Sequence, residues 1–161
     1  MNTTESKTRV FPARQILLAG MAGGAAEIVW FSIMGPVLSL NIHDLAAGVT
    51  SSIFPALGGS AYAVLLGILI HLFLSVVLAA GYIVTVGRWS MSRFGLSGQL
   101  LTGMCSLMFV WAINYLVVLP VLNPAFIEVS SYSLSLLSKT FFGITMALVF
   151  NYLKHEQKRL A

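Results

Sequence analysis

Residues 61–87 read AYAVLLGILIHLFLSVVLAAGYIVTVG and contain no Asp, Glu, Lys or Arg. A hydrocarbon core of about 30 Å takes roughly 20 apolar residues in helical form, and this stretch is longer than that. Inside lipid there is no water to bond the backbone, so a helix is the conformation that satisfies the peptide groups within one segment. The stretch therefore predicts a transmembrane helix.

Three further apolar stretches have the length of membrane spans, at about 16–40, 98–120 and 133–153. Together with 61–87 they use nearly the whole chain, so no room remains for a separate soluble domain. The sequence predicts one transmembrane domain over residues 1–161. Its fold class is an all-α polytopic membrane protein, a four-transmembrane-helix bundle.

The composition supports the same class of protein. Of 161 residues, 58% are hydrophobic and 9% are charged, whereas soluble domains carry about a quarter of their residues as charged types. The net charge of +4 does not indicate a nucleic-acid partner, because the basic residues lie in small groups at hydrophobic boundaries. Cys105 is the only cysteine, and its apolar surroundings predict a small buried side chain.

The distribution of basic residues predicts the orientation. Cytoplasmic loops are enriched in Lys and Arg, and two of the connections between spans contain neither. The sequence therefore predicts a multi-pass protein of the bacterial inner membrane with both termini in the cytoplasm. Outside the spans, the basic residues are Lys7, Arg9 and Arg14 before the first span, Arg88 and Arg93 between the second and third, and Lys154, Lys158 and Arg159 after the fourth.

The first outer connection has the pattern of a short helix. Asn41 and Asp44 have the spacing of a helix cap and its partner, and apolar residues then recur every fourth position to Ile53. We expect a periplasmic interfacial helix at about 42–54. His43 and Asp44 form a candidate outer-interface site for a proton or metal, with a solvated helix start as the alternative.

Four polar residues fall at similar depths, one in each span: Glu27, His71, Asn114 and Lys139. An ionised group in hydrocarbon costs at least a few kcal/mol, so Glu27 and Lys139 are expected to be paired, hydrated or neutralised. We predict an intramembrane polar cluster of these four residues. It either exchanges protons and lines a path for an ion or small solute, or serves as interhelical hydrogen bonds that fix the bundle.

Small residues at four-residue spacing predict the faces on which the spans contact each other, since they let helix backbones approach closely. In the first span they form a G-x-x-x-G pair, with Glu27 seven residues after its first glycine and so on the same face. The predicted packing residues are Gly20, Gly24, Gly67, Ser75, Gly103, Ser135 and Gly143.

Catalysis and cofactor binding find little support in the sequence. It contains no Ser-His-Asp set, no zinc-protease motif and no nucleotide fingerprint, so a non-enzymatic protein is expected. No cofactor is predicted. Ligation of haem or a metal by His71 is an alternative, which would need a second ligand from another chain because His71 is the only histidine within a span.

The segment His71–Val84, HLFLSVVLAAGYIV, resembles a membrane segment of YagU-like bacterial inner-membrane proteins. The shared features are the histidine, Ser75 four residues later, and an alanine before the Gly81–Tyr82 pair. The resemblance covers about one helix. It implies an inner-membrane protein without an established molecular activity, and it draws attention to His71 and Tyr82.

The small size and small-residue faces favour an accessory or scaffold subunit of a larger membrane complex. Its expected partners are the lipid bilayer and either membrane protein subunits or further copies of the chain. The alternative is a proton-linked carrier or channel for an ion or small solute that uses the intramembrane polar cluster.

Overall fold

The structure is a computed structural model that describes residues 13–160, apart from the side chains at positions 158 and 160. Lys7 and Arg9, which contribute to the predicted orientation, lie outside the described residues. Residues 13–160 form helices and short connections without a strand. The helices are α1 (Ala13–Val37), α2 (Ile42–Ile53), α3 (Ala63–Arg93), α4 (Leu96–Leu122), α5 (Pro124–Val129) and α6 (Tyr132–Leu160).

Helices α1, α3, α4 and α6 are long and apolar enough to cross a membrane. This confirms the prediction of four such helices in an all-helical chain, and the fold is that expected of an integral membrane protein. The short helix predicted at 42–54 is present as α2, and the Asn41 side chain accepts a hydrogen bond from the backbone N–H of His43 at its start.

The end of α1 differs from the predicted boundary near residue 40. Ser39 adopts a left-handed conformation with φ of 57°. The Leu40 N–H bonds the Gly35 carbonyl at 2.8 Å, and the Ser39 N–H bonds the Pro36 carbonyl at 3.3 Å. These two bonds close a Schellman motif, which ends the helix at Val37. Glycine is the usual residue at the left-handed position, so serine there gave no boundary signal.

Two long helices contain a π-helical turn, and in each a nearby residue disturbs the regular backbone hydrogen bonding. In α3 the turn is Ile83–Gly87, where the Thr85 hydroxyl donates to the Gly81 carbonyl at 2.8 Å. A hydroxyl in this position competes with the backbone ladder. In α4 the turn is Asn114–Val118, just before Pro120, which has no N–H and whose ring disfavours regular helix at the preceding turn.

The spans pack antiparallel around α6, which has the largest buried share of the four. It contacts α1 on one side and α4 on the other, while α3 lies against α1 and α2 lies against the first half of α3. Phe142, Met146 and Phe150 of α6 are almost completely buried and form the centre of the core. The neighbour order is therefore α3, α1, α6, α4.

Helices α3 and α4 meet mainly at the end where they are joined, which carries Arg88 and Arg93 and is called the arginine end below. There Thr102 of α4 lies 3.3 Å from the Tyr82 hydroxyl and 2.6 Å from the Ser90 hydroxyl. Towards the opposite end, called the α2 end, the two helices separate. The space between them leads to the polar residues of the bundle.

Candidate functional site

A buried carboxylate lies at the centre of the polar cluster. Glu27 of α1 is 5% exposed. Its Oε2 accepts a hydrogen bond from Lys139 Nζ of α6 at 2.6 Å, and its Oε1 accepts one from the Ser138 hydroxyl at 2.8 Å. His71 Nε2 of α3 lies 3.7 Å from the same Oε2. The structure thus brings three of the four predicted residues together, each from a different span.

The His71 ring is held in place from α1. Its Nε2 lies 3.3 Å from the Gly24 carbonyl oxygen, and because a carbonyl oxygen can only accept, a hydrogen bond between them is donated by the ring in its Nε2–H form. Close approach of the two helices makes this contact possible. A Cβ at Gly24 would lie 2.5 Å from the Ser75 hydroxyl oxygen, and one at Gly20 would lie 2.6 Å from the Val76 Cα. These glycines therefore position the histidine beside Glu27.

Ser138 was not among the residues selected from the sequence. The sequence pattern on α6 follows every fourth residue through Ser135, Lys139 and Gly143. Four residues advance a helix by about 400°, so residues at this spacing drift around the helix by about 40° per step. The face towards α1 therefore also includes positions three residues apart. A search at three-residue and four-residue spacing would have included Ser138, which is fully buried against Glu27.

Asn114 lies apart from the carboxylate. Gly103 contacts Gly143, and Trp111 Nε1 donates to the Ser135 hydroxyl at 2.9 Å, which fixes the register of α4 against α6. In that register Asn114 is level with the start of α6, about 10 Å from the level of Lys139 towards the α2 end. Its amide has no hydrogen bond within residues 13–160, and it lines the same cavity as the charged residues.

All four residues of the polar cluster line a cavity of about 750 Å³. Small-molecule sites typically have volumes of about 300–1,000 Å³. The wall is mostly apolar and comes from every helix of the bundle. Glu27, His71 and Lys139 lie towards the bundle centre, and most of the lining residues lie between them and the α2 end. On the arginine side the lining continues only along α3, through Leu74 and Val77 to Leu78. The cavity therefore stops short of the arginine end and is not a pore through the bundle.

The α2 end of the cavity is covered by contacts between α2 and α5. The Phe126 ring lies directly on Gly48, where any side chain would collide with it. The Asn123 amide donates to the Ser52 hydroxyl at 3.0 Å and to the Gly48 carbonyl at 3.3 Å. We call Gly48, Ser52, Asn123 and Phe126 the cap. His43 lines the cavity near the cap.

The predicted outer-interface site at His43 and Asp44 consists of two exposed residues in the first turn of α2. Within residues 13–160 no group of three His, Cys, Asp or Glu side chains is arranged to hold a metal. Cys105, expected to be buried, is exposed on α4. It lies on the side of that helix away from α6, where small hydrophobic residues can face lipid without cost.

The predicted packing residues contact several different elements. Gly20, Gly24 and Ser75 form the contact between α1 and α3. Gly103 and Gly143 face each other across α4 and α6, where a Cβ on either would lie 2.6 or 2.5 Å from the other carbonyl oxygen. The remaining two serve other contacts: Gly67 lies against the Ala46 carbonyl of α2, and Ser135 receives the Trp111 hydrogen bond.

Comparison of the chain with protein-family models, with curated proteins and with solved structures found no match. The resemblance of His71–Val84 to YagU-like proteins stays a prediction.

Proposed function

We propose that the protein is a membrane-embedded carrier that binds a small solute in the cavity, with Glu27, His71 and Lys139 as the polar end of the binding site. The observation that carries the proposal is the position of the ion pair. Charged side chains within membrane spans are costly, and they usually face a cavity or one another at functional sites. Here the pair does both, because Glu27 binds Lys139 and both line the cavity.

The shape of the cavity favours a carrier over a channel. Its lining ends at Leu78 of α3 on the arginine side and reaches the cap on the α2 side, so it does not continue to the arginine end. Carriers hold their substrate near the middle of the membrane behind a gate on each side. The proposed proton linkage uses His71, whose Nε2 lies 3.7 Å from the Glu27 carboxylate, so that a solute bound beside the two groups changes the effect of the carboxylate on protonation of the imidazole.

Native mass spectrometry of the full chain, extracted in a mild detergent, tests the proposal. We expect the wild type to carry an extra mass of small-molecule size that is released on collisional activation. Ile113→Trp fills the cavity side of α4 and should lose this mass, whereas Leu116→Trp, on the same helix but outside the cavity, should keep it. A wild type without any bound small molecule, or a mass retained in Ile113→Trp, contradicts the proposal.

The second candidate function is the accessory or scaffold subunit predicted from the sequence. It is favoured by how little of the described chain lies outside the spans: only α2, α5 and short connections. The same spectra distinguish the two candidates, because a partner subunit or a second copy adds the mass of a whole chain. Copurifying protein chains with an empty cavity would favour the subunit.

Haem or metal ligation by His71 is a weaker candidate. Ligation through Nε2 would require the ring to give up its hydrogen bond to the Gly24 carbonyl, and the second ligand would have to come from another chain. A Soret band in the absorption spectrum of the purified protein would support this function, and a featureless visible spectrum would exclude haem.

We also propose the bacterial inner membrane as the location, with the arginine end in the cytoplasm. The support is the grouping of Arg14, Arg88, Arg93 and Lys154 at one end of the antiparallel bundle, since cytoplasmic ends are rich in such residues. A cysteine placed at Ser92, in a chain with Cys105 replaced by Ala, should react with a membrane-impermeant maleimide only after the cells are opened. Labelling in intact spheroplasts would reverse the orientation.

A further inference from the structure

The cavity has an opening on the side of the bundle. Leu74 and Val77 of α3 and Ile113 of α4 line the cavity and are also 41, 49 and 43% exposed. The opening lies where α3 and α4 separate. It is bounded at one end by the contact of Tyr82 with Thr102 and at the other by the cap. In a bilayer these three side chains face acyl chains, so the opening, called the side window below, connects the cavity to lipid.

The inner end of the cavity presents unused hydrogen-bond donors. The Lys139 ammonium has three protons, and within residues 13–160 its only hydrogen bond is to Glu27. The Asn114 amide lines the cavity about 10 Å nearer the α2 end and also has no hydrogen bond within the same residues. Donors removed from water are costly unless they meet an acceptor. A ligand that fits this end therefore carries an acceptor oxygen.

The charges at the site indicate that the head group of the ligand is neutral. With His71 neutral, the formal charges of Glu27 and Lys139 cancel, and their side chains are only 6 and 14% exposed. An anionic head group would add a charge without a counter-ion, which is strongly unfavourable in a buried site. A carbonyl oxygen accepts from the Lys139 ammonium without adding charge. The apolar walls and the side window then suit a hydrocarbon chain.

We propose that the ligand is an uncharged, carbonyl-bearing amphiphile that enters from the bilayer through the side window. Its carbonyl oxygen accepts a hydrogen bond from Lys139, and its apolar chain lies between α3 and α4, against Val77 and Ile113. This inference rests on the proposed function that the cavity is a binding site. It adds the chemical class of the ligand and the route by which it arrives.

Photolabelling of the full chain in phosphatidylcholine vesicles tests the inference. The probe is a long-chain methyl ketone with a diazirine in its chain, and its controls are the carboxylic acid and the alkane of the same length. One hydrogen bond to a charged donor corresponds to about tenfold in affinity, so the ketone should label α3 and α4 about tenfold more than the alkane. Excess unlabelled ketone should remove the difference.

Two matched variants locate the binding. Val77→Trp closes the side window and should reduce ketone labelling to the level of the alkane. Val84→Trp, also on α3 but 73% exposed and outside the cavity, should leave it unchanged. Equal labelling by ketone and alkane, stronger labelling by the carboxylic acid, or full labelling of Val77→Trp would each overturn the inference.

A wrong ligand class and a wrong proposed function would give different results. If the wild type carries a small molecule in native mass spectra but does not bind the ketone, the cavity is a binding site and the ligand class is wrong. If neither the small molecule nor ketone binding is found, the proposed function fails as well.

Discussion

Glu27 is stabilised by partners from two other helices, and its carboxylate would be an isolated charge in the membrane without them. Lys139 supplies the opposite charge at 2.6 Å, Ser138 supplies a hydrogen bond to the other oxygen, and His71 lies 3.7 Å away. Breaking a buried ion pair by removing one partner leaves an uncompensated charge, whereas removing both charges does not. This difference gives a test of the pair at the scale of single residues.

Lys139→Met should lower the free energy of unfolding by about 3 kcal/mol, because Glu27 is then buried without its counter-ion. The double variant Glu27→Gln with Lys139→Met should be more stable than Lys139→Met alone, since the charge that lacked a partner is also gone. The free energies can be measured by titrating detergent-solubilised protein with sodium dodecyl sulfate.

Ser138→Ala serves as the matched control, because it removes one hydrogen bond to Glu27 and keeps the ion pair, at a cost of about 1 kcal/mol. If the effects of Glu27→Gln and Lys139→Met simply add in the double variant, the two residues do not stabilise each other.

At the scale of elements, the positions of the helices depend on a few glycine contacts. The backbones of α4 and α6 touch at Gly103 and Gly143, and those of α1 and α3 touch near Gly20. In lipid the hydrophobic effect does not drive helices to associate, so van der Waals contact at close approach supplies much of the attraction between them. Because α6 carries Lys139 and α1 carries Glu27, the same contacts determine whether the ion pair can form.

Gly103→Val should lower the free energy of unfolding by about 1–3 kcal/mol, because its Cβ would meet the Gly143 carbonyl oxygen and force α4 away from α6. Gly81→Val is the matched control: it places the same side chain in a helix at a position with nothing within 4 Å of the new Cβ. A loss of stability as large in Gly81→Val as in Gly103→Val would mean that valine in a helix, and not the helix contact, is responsible.

The sequence predicted the elements better than their ends and rotations. Long apolar runs require helices in lipid, so all four long helices were predictable. The end of α1 at Val37 was not, because serine at residue 39 takes the conformation that usually marks a glycine. The rotation of α6 brings Ser138 to Glu27, and the register of α4 places Asn114 away from it. Both depend on contacts between helices, which cannot be predicted from the sequence of one helix alone.

At the scale of the whole molecule, the cavity follows from the way the helices diverge. Helices α1 and α6 pack closely and hold the ion pair, while α3 and α4 separate above the contact of Tyr82 with Thr102. The volume of about 750 Å³ between them could not be foreseen from the sequence, since it depends on the angles between four helices. Helix α3 consequently has one face towards the cavity and an exposed apolar face, which we expect to contact lipid.

Two neighbouring residues of α3 report on these two faces. Leu69 is 55% exposed and outside the cavity, whereas Ile68 lines it. They differ in depth by only about 1.5 Å, so depth in the bilayer affects both almost equally. A nitroxide can be attached at each through Ile68→Cys or Leu69→Cys, in a chain with Cys105 replaced by Ala.

Electron paramagnetic resonance of these two labelled chains in lipid bilayers tests directly whether α3 spans the membrane with its polar face turned into the protein. Oxygen is the apolar collision partner, and a nickel chelate is the aqueous one. We predict frequent oxygen collisions and few nickel collisions at position 69, and markedly fewer oxygen collisions at position 68. Equal oxygen accessibility at the two positions, or frequent nickel collisions at position 69, would contradict a membrane-spanning α3 that turns its polar face into the protein.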